Sequence, residues 1–214
     1  MTYSNYRSNE VLEAIARKII NQHNPSLLDR PSSIPIVSIM KKVFGLTIVY
    51  KHIHNNNQIL AETVFADTIM PFSEPFGAKE FKLCEVKAGT VILNTNLKSK
   101  RSYGRFRFTC AHELAHWIFD KKYFLEIGNS AATSNIIRSS ETDEVIERQA
   151  DRLACRILMP KNMVKYAFHE NRDDPVNRLA KLFGVSRHAM RIRLCELGLA
   201  EVPKEKESDV YGRV

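Results

Sequence analysis

The stretch FTCAHELAHWIFD, residues 108–120, sets His112, Glu113 and His116 in a His-Glu-x-x-His pattern. On a helix, side chains four positions apart share a face, so both imidazoles point toward one place. Imidazole is a ligand for zinc and for other divalent ions. Glu113 sits beside the histidines, where its carboxylate would hold a water at such an ion, the chemistry of peptide hydrolysis. Ala111, Leu114, Ala115 and Ile118 lie on another face and suit docking on a core. Taken alone, the pattern is also compatible with two ordinary surface histidines. A catalytic metal needs a third protein ligand and an open position, and these five residues supply neither.

The chain beyond the motif decides which continuation is available. A metzincin would place a third histidine six residues after His116, with a glycine three residues before it. Those positions hold Lys122 and Phe119, so that continuation is excluded. SSETDEVIERQADRLACRILMP, residues 139–160, reads as an amphipathic helix with the stripe Ile146, Ala150, Leu153, Ala154, Ile157 and Leu158. Ser140 and Asp143 suit a capping box at its start, and Pro160 stops it. Glu147 and Asp151 lie one turn apart, beside small Ala150, where another helix could approach. One carboxylate from this helix would complete a His-His-carboxylate set. A second, one turn on, would accept the free N–H of a ligating imidazole. The plainer alternative is a row of solvated acids that includes Glu144 and Glu147.

These helices need a scaffold. Residues 9–22 carry the helical stripe Val11, Leu12, Ile15, Ile19 and Ile20. Residues 36–44 form a short helix ended by Gly45. LTIVYK (46–51), QILAETVFA (58–66), FKLCEVK (81–87) and TVILNT (90–95) read as strands, with HNNN (54–57) as a hairpin turn between the first two. Residues 68–80, with Pro71, Pro75 and Gly77, read as loop. Strands come first and helices later, which predicts an α+β fold. Its small, mostly antiparallel sheet packs against the His-Glu helix and the carboxylate helix.

RFRFTCAHELAHWIFD followed by ERQADRLACRILMP resembles the ImmA/IrrE family of zinc metallopeptidases, over most of residues 35–200. The resemblance implies His112, His116 and Glu147 as ligands of one Zn2+, with another divalent ion able to occupy the same set. It implies Glu113 as the catalytic base, and Asp151 as a residue that orients a ligating histidine. Ala115 stands where the family commonly has glycine, and Cys110 where an aliphatic residue is usual. By the same resemblance the substrate is a protein, a helix-turn-helix repressor cleaved to release phage, mobile-element or stress genes. The oxyanion donor stays open among Tyr103, Arg105, Arg107 and Tyr123. VILNTN (91–96) is a candidate sheet edge for an added substrate strand.

The C-terminal part carries a competing signal. DPVNRLAKLFGVSRHAMRIRLCELGL (174–199) reads as helix, turn, helix, with Asp174-Pro175 opening the first helix, Gly184 ending it and Ser186 capping the second. Arg187, His188 and Arg191 would then face outward, as a major groove requires. The alternative function is therefore a DNA- or protein-binding regulator with a structural or silent metal site. The expected organisation is a metallopeptidase domain over 1–165, a helix-turn-helix-like region over 166–200 and a disordered tail over 201–214.

The net charge of +8 is compatible with an anionic partner. Its clusters, Lys98, Lys100, Arg101, Arg105, Arg107 and a second run from Lys161 to Arg193, read as solvated surface. Cys84, Cys110, Cys155 and Cys195 form no CxxC pair and suit reduced thiols. No apolar run reaches membrane-spanning length, and the start lacks the apolar core of a signal peptide. A cytoplasmic protein without a membrane partner is expected.

Overall fold

Helix α1 (Asn9–His23) begins at Ser8, whose hydroxyl accepts from the Val11 N–H. The computed structural model describes residues 7–53, 59–73, 81–99, 103–127, 140–170 and 173–201. Helix α2 (Ile36–Phe44) ends where expected, at Gly45, which takes φ 67° and returns its N–H to the Met40 carbonyl. Strands β1 (Thr47–Ile53), β2 (Ala61–Thr63), β3 (Thr68–Ser73), β4 (Phe81–Val86) and β5 (Thr90–Asn94) make one sheet in the order β2-β5-β1-β3-β4. The β1–β5 pairing is parallel and the others are antiparallel. The fold is α+β, as the order of elements predicts.

Three local expectations change. The first two strands do not form a hairpin, because β5 lies between them, and residues 54–57 fall outside the described residues. Every residue of β5 is buried, so it takes the inner position and pairs on both sides. For that reason VILNTN is not a free edge. The sheet edge beside the motif helix is β2, where Glu62 and Thr63 are 5% and 0% exposed, so it offers no open ladder for an added strand. Residues 68–73 are strand β3, not loop. Pro71 lies opposite Leu83 of β4, and among the described residues β1 meets β3 at Ser73 and Phe72.

Helix α3 (Tyr103–Ile127) carries the His-Glu motif and α4 (Ser140–Leu158) packs along it. The side chains of Ser140 and Asp143 lie outside the described set. Cys110, Ala111, Leu114 and Ala115 of α3 are fully buried, as are Ala150, Leu153 and Ala154 of α4. The small residues let the two helices approach. Helix α5 (Lys161–Glu170) follows directly on Pro160, which ends α4 and accepts from the Val164 N–H. It had been concealed in a run noted only for its charge.

The helix-turn-helix element forms as spaced: α6 (Pro175–Phe183), a turn through Gly184 at φ 64°, and α7 (Arg187–Glu196), capped by the Ser186 hydroxyl on Ala189 N–H. One core runs from Leu12 and Ile20 of α1 through α3 and α4 to Phe183, Met190 and Leu194. A smaller cluster, Val64, Phe72, Val86 and Ile92, lies apart from it.

Two arginines assigned to solvated surface are buried instead. Arg107 donates to the carbonyls of Ile34 (2.7 Å) and Gly184 (3.0 Å). Arg193 donates to the Met159 carbonyl at 3.0 Å and pairs with Glu13 and Glu196. Each closes a gap between elements far apart in sequence, which local charge counting cannot foresee. The four cysteines are free thiols, and burial pushes Cys110 and Cys155 up to about 12. No described helix is long and apolar enough to cross a membrane.

Candidate metal centre and active site

From Arg107 to Asp120 every residue of helix α3 is buried or half-buried, so the polar side chains there need partners. His116, Glu113 and Asp120 are 2%, 5% and 2% exposed. The pitch of α3 brings His112 Nε2 and His116 Nε2 to 2.9 Å from each other. From α4, Glu147 reaches the same place, 3.1 Å from His112 Nε2 and 3.3 Å from His116 Nε2. The three ligand atoms all lie within 4.8 Å of one another. Ligands of tetrahedral zinc, each about 2.05 Å from the ion, sit about 3.3 Å apart. The donor set therefore fits such an ion with only small adjustment. Two nitrogens and one oxygen leave a fourth position open, the arrangement of a catalytic rather than a structural site.

The opposite ring nitrogens are also committed. His112 Nδ1 is 2.8 Å from Asp151 Oδ1, and His116 Nδ1 is 2.8 Å from Asp120 Oδ2. A carboxylate behind each imidazole makes Nδ1 the protonated nitrogen and aims the Nε2 lone pair at the shared point. Burial opposes protonation of His112, but hydrogen bonds to Asp151 and Glu147 outweigh it and raise the ring to about 10. Burial and His112 both oppose the charged form of His116, yet its bonds to Asp120 and Glu147 carry it upward too. Burial would raise Glu147, but the two histidines hold it well below the usual carboxylate range.

Every residue proposed from sequence for the metal centre is brought here: His112, His116 and Glu147 converge, Asp151 backs His112, and Glu113 is buried beside them. Asp120 was missed. The signal was present, since it follows His116 by four positions and so shares its helical face, but an aspartate there reads equally as a surface acid. Removing it leaves a buried imidazole N–H without its acceptor. Asp120→Ala is expected to weaken zinc binding about 10- to 100-fold, measured by competition with a chromogenic chelator. Unchanged affinity would show that His116 needs no such support. Thr63 was also missed. Its hydroxyl donates to Glu113 Oε2 at 2.6 Å, a contact across 50 residues that has no local signature.

Among the open oxyanion candidates, Arg107 is removed by its bonds to Ile34 and Gly184. The Tyr123 side chain lies outside the described residues. Arg187, His188 and Arg191 are all exposed on α7, as the helix-turn-helix reading expects.

A family model for the IrrE N-terminal-like domain, Peptidase M78, matches residues 72–195. That span takes in α3, α4 and both motif sequences. Among solved structures the chain is similar to a Mycobacterium tuberculosis transcriptional regulator, with a TM-score of 0.53 and 13% identity. The match covers 91% of this chain and 48% of that one, so the chain spans about half the length of that structure. At this identity the likeness is one of fold. No curated protein matches the chain.

Proposed function

The chain belongs to the IrrE N-terminal-like domain family, a peptidase family, and on that footing we propose that it is a zinc-dependent endopeptidase. Its proposed substrate is a helix-turn-helix transcriptional repressor. The observation that carries the enzymatic reading is the convergence of His112, His116 and Glu147, each imidazole backed by a carboxylate.

A zinc ion held by these three residues would activate water and polarise the scissile carbonyl. The protein's own residues supply the rest. Glu113 takes the proton of the attacking water and passes it to the leaving amine. Asp151 and Asp120 keep His112 and His116 in one tautomer, with Nε2 free to bind. On the α3 side His116 and Glu113 are buried, whereas Glu147 from α4 is half exposed, so the site opens to solvent along α4.

The test is metal content by mass spectrometry, followed by incubation with repressors encoded near this gene. About one zinc per chain is expected, absent in Glu147→Ala, with a single cut in one repressor. Protein that never takes up stoichiometric metal would remove the enzymatic reading. Metal retained in Glu147→Ala would remove only the assignment of the third ligand.

A second reading has one observation in its favour, the exposed basic row of Arg187, His188 and Arg191 on α7. Against it, the turn before α7 is pressed on α3, where a Cβ on Gly104 would meet the Ser186 nitrogen at 2.9 Å. Sequence-specific DNA binding in a gel-shift titration, retained in a protein carrying Glu113→Gln, would favour this reading.

A further inference from the structure

We propose that Thr63 orients Glu113 for proton transfer, a positioning role that rests on the metallopeptidase reading above. Thr63 lies on β2 and has no exposed surface. Its Oγ1 is 2.6 Å from Glu113 Oε2 and 3.3 Å from the Glu113 carbonyl oxygen. A threonine hydroxyl has one proton to give. A bond of about 2.5–2.7 Å is the signature of a hydroxyl donating to a charged oxygen, so the carboxylate takes the proton. The longer contact to the carbonyl is secondary.

This bond divides the labour between the two oxygens of Glu113. Oε2 is tied to the sheet. Oε1 receives no hydrogen bond among the described residues, so it is the oxygen left to accept a proton from water and return it to the amine. Without Thr63, a carboxylate at the end of a rotatable side chain samples several directions, only some of them toward the reacting water. A misplacement of about 1 Å costs on the order of 100-fold in rate.

The anchor itself is rigid. Thr63 is β-branched, with a restricted χ1. It lies opposite Val91 in an antiparallel pairing with fully buried β5, and α3 packs on β2. The direction of the base is therefore set by the register of the sheet. Supporting residues on regular elements hold a reacting group more closely than loops do.

The experiment compares zinc-loaded wild type, Thr63→Val and Thr63→Ser on the same repressor or peptide substrate. Valine keeps the shape and removes the hydroxyl, whereas serine keeps the hydroxyl and removes the methyl. Thr63→Val is expected to lower kcat about 10- to 100-fold, with KM within about twofold and zinc content unchanged. Thr63→Ser is expected to recover most of the loss. A binding readout accompanies it: calorimetry with acetohydroxamate, a small zinc chelator that presents a proton to the base. Its affinity is expected to fall in Thr63→Val and hold in Thr63→Ser. Equal kcat and equal hydroxamate affinity in wild type and Thr63→Val would overturn the proposal. So would equal losses in both variants, which would assign Thr63 to packing alone. The metallopeptidase reading fails differently, through wild-type protein that binds no zinc. Zinc-loaded wild type that cuts nothing still yields the hydroxamate comparison, which decides the role of Thr63.

Discussion

On the proposed function, Glu113→Gln is expected to leave metal binding in place and to lower kcat by about 10³-fold or more. General acid–base catalysis by one placed side chain is worth about 10²–10⁴-fold, and Glu113 serves two proton transfers in the proposed reaction. The substitution is nearly isosteric. Glutamine still accepts the Thr63 hydrogen bond through its amide oxygen, so the buried contact on β2 survives. The candidate ligands His112, His116 and Glu147 are untouched. Metal content by mass spectrometry and single-turnover cleavage, run on the same sample, separate the two effects. Loss of metal together with activity would mean that Glu113 holds the site together. Cleavage within about tenfold of wild type, with metal bound, would place the base elsewhere.

The second large effect is on stability. Arg193→Ala is expected to cost about 3–5 kcal/mol of folding free energy, the usual consequence of removing one partner of a buried ion pair. The Arg193 side chain is 1% exposed and those of Glu13 and Glu196 are 21% and 14%. Truncation would strand two carboxylates and leave the Met159 carbonyl without its 3.0 Å donor. Arg156, also 1% exposed, shares both acids, at 3.7 Å to Glu13 and 3.4 Å to Glu196. Because Arg156 remains, the loss should fall toward the lower end of the range. The exposed Arg191, two positions away, is the control, and Arg191→Ala should stay within about 0.5 kcal/mol. Urea unfolding of the two variants makes the comparison. Equal stability would show that the network around Arg193 only fixes geometry, with its desolvation cost cancelling its attraction.

What the sequence disclosed and what it hid follow from range. The candidate metal-binding cluster was legible because His112 and His116, with Glu113 beside them, are fixed by the pitch of one helix. Glu147 and Asp151 are fixed by the pitch of another. The ends of α2 and α6 were legible because Gly45 and Gly184 are residues that tolerate the left-handed backbone of a helix stop. Thr63 was not legible, because its role depends on which strand lies beside α3. Strand order was itself misjudged: adjacency in sequence suggested a β1–β2 hairpin, whereas burial of β5 on both sides decides the order. Arg107 and Arg193 were misread for a similar reason. A charged residue looks soluble until the carbonyls of Ile34 and Met159 and the Glu13 carboxylate arrive from 34 to 180 residues away.

Helix α3 continues without a break from the Gly104 contact with the α6–α7 turn to Asp120. Arg107, bonded to the Gly184 carbonyl, stands five residues before His112, about 7.5 Å along the axis at 1.5 Å per residue. A stiff rod transmits displacement with little attenuation over such a distance. A load applied to the α6–α7 turn would bear on the same helix that carries His112 and His116. Grasping the C-terminal helices and keeping the catalytic geometry intact are mechanically coupled demands on one element.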